Sequence, residues 1–526
     1  MKRWSVLLVL LAACGQPFNA PGTSVPVRAL RPEDRVLLGD FSRVNALASS
    51  FDRLFVAYPT ALGIYRSIER RWEVPRSPAE PRLMQAVFAA VVDGIDRSVW
   101  LATPDGWLHY RPDTDQWERG VIAGRVQNIA TDDADPARGI WFLTAGGWYV
   151  QPRFGGIAMP AAPPQTLRPA TTVNDAMLDL PQLRALAPTL ATGPRLGAGR
   201  LTAAAPSADN NGWYLGTTTR GLLFFSRLGA QAEPFQLGLP SEAVGAVAAA
   251  GDAVWVATDA TIDVGAQITR LSSDLSQSET MSGLPTTGLP FNATRRLLPT
   301  DGAVWAGTDR GAVRVPLNGG SYTRFDEGSG LADQRVTALA LRNGRVVIGT
   351  LRGLSEEGTT GRVDRIAAKY FGAVYDLVAR GDTLWAATVN GLAAQRAGDD
   401  DLTVPEAFRG IAGGSGPVYG VGFVADTLVA MNADRLLWRS PTTGAWTPGP
   451  ILSGETGRLT VMYADSGGVW VAGSRGAALV RPTLGPLRFL SVPGDLPDLV
   501  TSITRTRNHL WIGTPHGLVR YLLEVR

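Results

Sequence analysis

Three histidines, His109, His509 and His516, carry every imidazole of the 526-residue chain, and Cys14 is its one cysteine. None of the histidines sits at a metal-ligand spacing, and with no cysteine other than Cys14 a zinc site is nearly excluded. A serine nucleophile could recruit a histidine and an acid from distant stretches, but no G-x-S-x-G elbow is present. Two acidic runs, Asp132, Asp133, Asp135 and Asp399, Asp400, Asp401, offer oxygens of the kind Ca²⁺ takes. Neither has the alternating Asp-x-Asp-x-Asp-Gly rhythm of a calcium loop, so both read as solvated hairpin turns, with a structural Ca²⁺ as the alternative. No catalytic set, metal or cofactor is assignable, and the chain reads as non-enzymatic, a hidden hydrolase or lyase being the competing reading.

One set of polar residues recurs in register. The position before a turn glycine is held by Asp105, Arg220, Arg310, Arg352, Asn390, Arg475 and His516. Guanidinium forks suit carboxylate or phosphate through paired hydrogen bonds. Arg220, Arg310, Arg352, Arg475 and His516 are therefore the candidate ligand face. Plain turn chemistry is the bland reading, because the chain has only two lysines, Lys2 and Lys369, among 50 basic residues and uses arginine wherever it needs a cation.

The elements that must position these residues repeat. A strand with Trp near its centre, then Gly or Ala, Thr, two or three polar residues, Gly and a second strand returns as VWLATPDGWLHY from Val99, VWVATDATIDVG from Val254, VWAGTDRGAVRV from Val304, LWAATVNGLAAQ from Leu384, VWVAGSRGAALV from Val469 and LWIGTPHGLVRY from Leu510. Weaker copies make eleven, centred on Phe55, Trp100, Trp141, Tyr214, Trp255, Trp305, Val347, Trp385, Leu428, Trp470 and Trp511. A period near 42 residues, filled with short alternating strands and turn residues, predicts four-stranded propeller blades in an all-β chain. The unit from Gly330 shows the parts: residues 336–341 alternate as an inner strand, Asn343-Gly344 is a favoured two-residue hairpin turn, and residues 346–350 form the second strand. The repeated Trp is expected between neighbouring blades, where its area stabilises the stack.

The motif LWIGTPHGLVRY, with the lead-ins GLPSEAVGAVAA from Gly238 and GLADQRVTALAL from Gly330, resembles the two-component regulator propeller repeat. The resemblance covers most of residues 30–521 and implies an extracytoplasmic β-propeller. In that family such propellers sense for hybrid histidine kinases, often in polysaccharide utilisation, or form a surface component of a secretion system. Without a following kinase or sorting domain, the resemblance implies a binding or scaffold propeller for a glycan or a protein. A carbohydrate-active propeller enzyme and a secretion accessory are the alternatives. SADNNGW from Ser207 resembles the sialidase Asp-box but lacks its glycine.

Eleven blades exceed the four to eight of ordinary rings, so two rings are expected. Residues 35–39 followed by 44–48 resemble a blade junction, as do 235–239 followed by 244–248, while the last copy stops after its third strand. The N-terminal strand should therefore complete the final blade, with blades one and eleven in one ring and a contiguous middle stretch forming the other. Residues 152–200 exceed the period and are rich in Pro and Ala. They read as a linker, with an inter-ring crossover, a lid or a degenerate twelfth blade as alternatives, and a short helix capped by Asn174 and interrupted at Pro181.

The start of the chain has a different logic. Lys2 and Arg3 precede an apolar run over residues 6–13, too short to span a bilayer, which ends in Leu-Ala-Ala-Cys-Gly. This resembles a bacterial lipobox and implies a signal peptide over residues 1–13, acylation of Cys14, a tether over 14–27 and repeats over 28–526. The implied location is a bacterial envelope, lipid-anchored, with the outer membrane favoured because Gly15 follows the cysteine. A net charge of +3 leaves no basic face for nucleic acid, and 45% hydrophobic residues exclude disorder of the bulk.

Overall fold

The computed structural model describes residue 30 and residues 34–190, 199–229, 232–235, 237–260, 265–281, 293–358, 361–411, 413–482 and 485–523. Cys14, the signal peptide and the tether lie outside them. The described residues form eleven antiparallel sheets, nine with four strands, one with five and one with three. Blade 7 shows why the sequence folds this way. Its inner strand, Val336–Arg342, turns through Asn343 and Gly344, at φ 50° and 79°, into Arg345–Thr350. Positive φ at both positions matches the right-handed twist of the flanking strands, and Asn-Gly tolerates it. Gly353–Glu357 and Val363–Ile366 then complete the blade.

Blades stack face to face through the central Trp position. Trp305 of blade 6 packs with Val336, Val346 and Ile348 of blade 7, and Trp100, Trp141, Trp305 and Trp511 are each at most 1% exposed. The glycine after that position is small because the next blade fills its space. A Cβ on Gly307 would stand 2.6 Å from Val336, and one on Gly349 would stand 2.9 Å from Val374.

The same contacts identify how the chain closes on itself. Gly216 of blade 4 meets Val44 of blade 1, and Thr202 donates to the Val44 carbonyl. Gly513 of blade 11 meets Val244 of blade 5, and Thr501 donates to the Val244 carbonyl at 2.7 Å. The first four blades thus form a small ring and the last seven a large one, the inner strand of blade 5 packing on that of blade 11. The strand Arg35–Leu38 pairs with Gly517–Leu522 and completes blade 11, as expected. Blades 1 and 11 do not share a ring, and the contiguous ring is the first four blades rather than a middle stretch. Both junctions cross between rings. Ser42, in the first, accepts from Gly221 N of blade 4, while Glu242, in the second, accepts from Gly517 N of blade 11. Phe41, Leu237 and Leu239 from the two crossings join one hydrophobic cluster.

The excess over residues 152–200 is neither an inter-ring crossover nor a complete blade, and more of it is built into the ring than a linker would be. Met159–Pro160 adds an outer strand to blade 3, and Leu167–Pro169 adds a fifth on its inner edge. Helices α1, Val173–Asp179, and α2, Pro181–Leu190, follow. Ala176, Leu180, Leu183 and Leu190 cover Trp213, Leu215, Leu223 and Phe225, the face of blade 4 that a preceding blade would otherwise bury. The cap of α1 is Thr172, closed by a reciprocal bond with Asp175, rather than Asn174. Pro181 opens α2, where its missing N–H costs nothing. Among the described residues no helix is long and apolar enough to cross a membrane.

Candidate functional site: the turn face and the channel mouth

The candidate residues owe their place to a hydroxyl. In blade 6 the Thr308 hydroxyl donates to the Gly311 carbonyl at 2.7 Å and accepts from Arg310 N at 3.1 Å. Thr350 does the same for Arg352 and Gly353, and Thr514 for His516 and Gly517. Gly311 has φ 116°, and a Cβ there would meet the Phe325 carbonyl at 2.2 Å, so only glycine closes the turn. The residue before it projects from the tip.

Arg310, Arg352, Arg475 and His516 share the turn face of the large ring, and Arg220 belongs to the small one. Several also brace the protein. Arg475 donates to the Ser453 and Gly454 carbonyls at 2.8 and 2.5 Å, and Arg220 donates to Leu190 O at 2.8 Å. Asp333 takes Arg335 at 3.3 Å and Arg352 at 3.6 Å, while His516 Nδ1 lies 2.6 Å from Asp498. Arg310 is exposed.

The structure adds residues at the channel mouth on the same face. Arg296 of blade 6 reaches past blade 7 to blade 8, where it lies 3.9 Å from Asp376 and donates to Tyr375 O at 3.5 Å. Asp376 also accepts from Val421 N of blade 9 at 3.1 Å. Burial raises the Asp376 pKa, and Arg296 opposes the rise. Tyr375 and Tyr419 lie 5.1 Å apart, and Arg458 stands over the Tyr419 ring at 5.1 Å while donating to its hydroxyl at 2.5 Å. These residues head the inner strands, where no sequence repeat draws attention to them. Their one signal is an Arg or Tyr within two residues of the residue that opens each strand, Thr294, Val374, Gly420 or Leu459.

A Ser–His–acid chain does exist, in blade 2. His109 Nε2 lies 2.7 Å from Ser98 Oγ and its Nδ1 lies 3.4 Å from Glu118. Ser98 and His109 are each 1% exposed, Trp100 stacks on the imidazole at 3.9 Å, and Ser98 also donates to Asp96 at 2.6 Å. The arrangement is packed into the blade with no room for a substrate at the hydroxyl. Asp132 is not a solvated turn residue: it ends the inner strand of blade 3, is 3% exposed and accepts from Thr166 and Ala134 N, whereas Asp399 accepts from Arg396 N three residues before it, as turn residues do. Among the described residues no group of three or more His, Cys, Asp or Glu is placed to hold a metal ion.

Burial, followed by the charge of Arg111, pushes His109 down to about 4, and burial with Arg520 does the same to His509. An imidazole held below its ordinary 6.5 contributes stability that is full above that value and is lost as pH falls from 6.5 to 4. Chemical denaturation midpoints should therefore drop across that window, by up to about 3 kcal/mol for His109. His109→Gln should flatten the drop, and an equally steep loss in that variant would assign it elsewhere.

No family model and no curated protein matches the chain. Among solved structures it is similar to PorZ, a surface component of the type-IX secretion system of Porphyromonas gingivalis, at 12% identity over 95% of this chain and 75% of that one, with a TM-score of 0.44. It is also similar to the extracellular domain of the hybrid two component system BT4673 from B. thetaiotaomicron, at 14% identity over 94% and 68%, TM-score 0.39. The WD40 β-propeller domain of Doa1 matches at 15% identity over 53% and 92%, TM-score 0.41. Likenesses this low transfer no function. The double propeller is read from the chain's own sheets and closures.

Proposed function

We propose that this protein is a non-enzymatic, lipid-anchored binding or scaffold protein of a bacterial envelope, at the outer membrane, which takes an acidic glycan on the turn face of its large ring. The observation that carries the reading is the channel mouth, where the Tyr375 and Tyr419 rings lie together, Arg458 stands over Tyr419, and Arg296 reaches the Tyr375 carbonyl and Asp376. Aromatic faces accept the apolar side of a sugar, and forked donors accept its carboxylate or sulfate. Exposed Arg310 and Arg352 extend the positive rim outward.

The test replaces Arg310, Arg352 and Arg458 together by Gln. Arg475 is kept, because its guanidinium holds the Ser453 and Gly454 carbonyls. Retention on immobilised heparin should fall tenfold or more with a weaker salt dependence, each lost charge-assisted bond contributing about 1.5–3 kcal/mol. Melting should shift little, since all three side chains are exposed, buried Asp333 keeps Arg335 when Arg352 is replaced, and exposed polar swaps stay within about 0.5 kcal/mol. Unchanged retention by the folded triple variant would reduce these arginines to turn chemistry.

A further inference from the structure

The two rings differ at the end away from the turn face. Successive strands of a blade are antiparallel, so the first-to-second and third-to-fourth connections of every blade lie at that end. In the large ring, first-to-second turns such as Gly251-Asp252, Asn343-Gly344 and Gly381-Asp382 are polar. In the small ring large apolar side chains stand there instead. Phe51 and Ile95 occupy the first-to-second turns of blades 1 and 2, Ile68 and Leu228 the third-to-fourth turns of blades 1 and 4, and Phe154 and Ile157 the corresponding loop of blade 3. Ile95 is 56% exposed and the others 73–100%, whereas no large apolar side chain among the described residues of the large ring exceeds 65%.

The tips are neighbours. Ser67 N, beside Ile68, donates to Asp52 O at 2.9 Å, Arg97 donates to the Asp52 carboxylate at 3.3 Å, and Arg153 pairs with Asp93. These bonds join the turns of Ile68, Phe51, Ile95 and Phe154 in that order around the ring. The two ion pairs also match charges between the tips, so the face is suited to an apolar medium more than to a pattern of charge. Side chains on separate tips would each need a pocket in a folded partner, while hydrocarbon takes them all without matching their shapes. The start of the chain points to the same medium. Asp34, where the described chain enters the strand Arg35–Leu38, pairs with Arg76 at 3.4 Å, and Arg76 pairs at 3.1 Å with Asp115, in the third-to-fourth turn of blade 2. The segment that carries Cys14 therefore joins the propeller beside the apolar end of the small ring.

We propose that this end of the small ring rests on a lipid bilayer, with Phe51, Ile68, Ile95, Phe154, Ile157 and Leu228 dipping beneath the headgroups. The turn face, at the other end of the strands, stays in water. The inference rests on the lipid-anchored reading: the acyl chains hold the protein, tethering raises the effective concentration of the tips at the surface, and the tips fix orientation rather than attachment.

In the test, a hexahistidine tag replaces residues 1–13 of the Cys14→Ser chain and holds it on vesicles of phosphatidylethanolamine and phosphatidylglycerol that contain a nickel-chelating lipid. The tag supplies the tether whether or not Cys14 is acylated in the cell, so failure here is separable from failure of the lipoprotein reading. The chain has no other thiol, and the fluorophore NBD is attached at Phe154→Cys, at Leu228→Cys or, on the turn face, at Arg310→Cys. At the first two sites emission should rise about twofold and shift to the blue, as for a group passing from water to the headgroup boundary, while the third should not respond. Ile68→Asp with Ile95→Asp, both at exposed positions, should abolish the response at Phe154→Cys and leave the melt unchanged. Equal emission at all three sites on vesicle-bound protein would overturn the inference, as would a response at Phe154→Cys that the two aspartates do not alter. A blue shift that appears without vesicles and grows with protein concentration would overturn it too, making the face a contact between copies of the chain.

Discussion

Removal of residues 28–38 should unfold the large ring. The strand Arg35–Leu38 is the outer strand of the blade that closes that ring, and all four of its residues are buried. Leu30 and Leu37 join the cluster of blades 10 and 11, and Arg35 donates to the Gly494 and Asp495 carbonyls at 3.0 and 2.9 Å. Val36, Leu37, Leu38 and Leu30 together account for about 6–12 kcal/mol of burial, at roughly 1.5–3 kcal/mol each, which matches the whole stability of an ordinary domain. The deletion also exposes Gly517–Leu522 as an unpaired edge, a template for other chains. The truncated protein should aggregate or lose its cooperative melt. A melt superimposable on that of the intact chain would show that blade 11 closes without this strand.

The second large effect is one of location. Cys14→Ser removes the one thiol available for acylation, and the protein should move from the membrane pellet to the soluble fraction. Each buried methylene of an acyl chain contributes about 0.8 kcal/mol, so several chains bind almost irreversibly and their loss is all-or-none. Incorporation of labelled fatty acid into the serine variant equal to that of the wild type would remove the lipoprotein reading. Because the first buried residue of the propeller, Leu30, comes 16 positions after Cys14, the substitution changes no residue of the propeller core and melting should be the same in both.

The face that carries the candidate site was only partly legible. Arg310, Arg352, Arg475 and His516 stand out because each precedes a glycine that the turn geometry requires, a constraint within a few residues. Arg296, Tyr375, Asp376, Tyr419 and Arg458 do not, because what unites them is convergence of inner strands from blades 6, 8, 9 and 10 on one channel. The same holds for Phe51, Ile95 and Phe154. Each reads as one apolar residue in a turn, and only closure of the small ring brings the turns of blades 1, 2 and 3 together at one end.

What the sequence determined by itself is everything encoded within one repeat. Alternation, the Asn343-Gly344 turn, the Thr308-to-Gly311 closure and the buried Trp are local, and eleven copies of them specify eleven blades. Pairing of the first strand with the last was also readable, because an incomplete final copy and a spare initial strand are complementary. Which blade neighbours which across a junction was decided only in three dimensions. The junctions at residues 35–48 and 235–248 are alike in sequence, and either could lead from an outer strand to the adjacent blade or across to another ring. The choice rests on Val44 filling the space beside Gly216 and Val244 that beside Gly513, with α1 and α2 covering blade 4 where a blade is missing. Those contacts join residues about 170 and 270 positions apart, on the sequence numbering, and their energy appears only when whole blade faces meet.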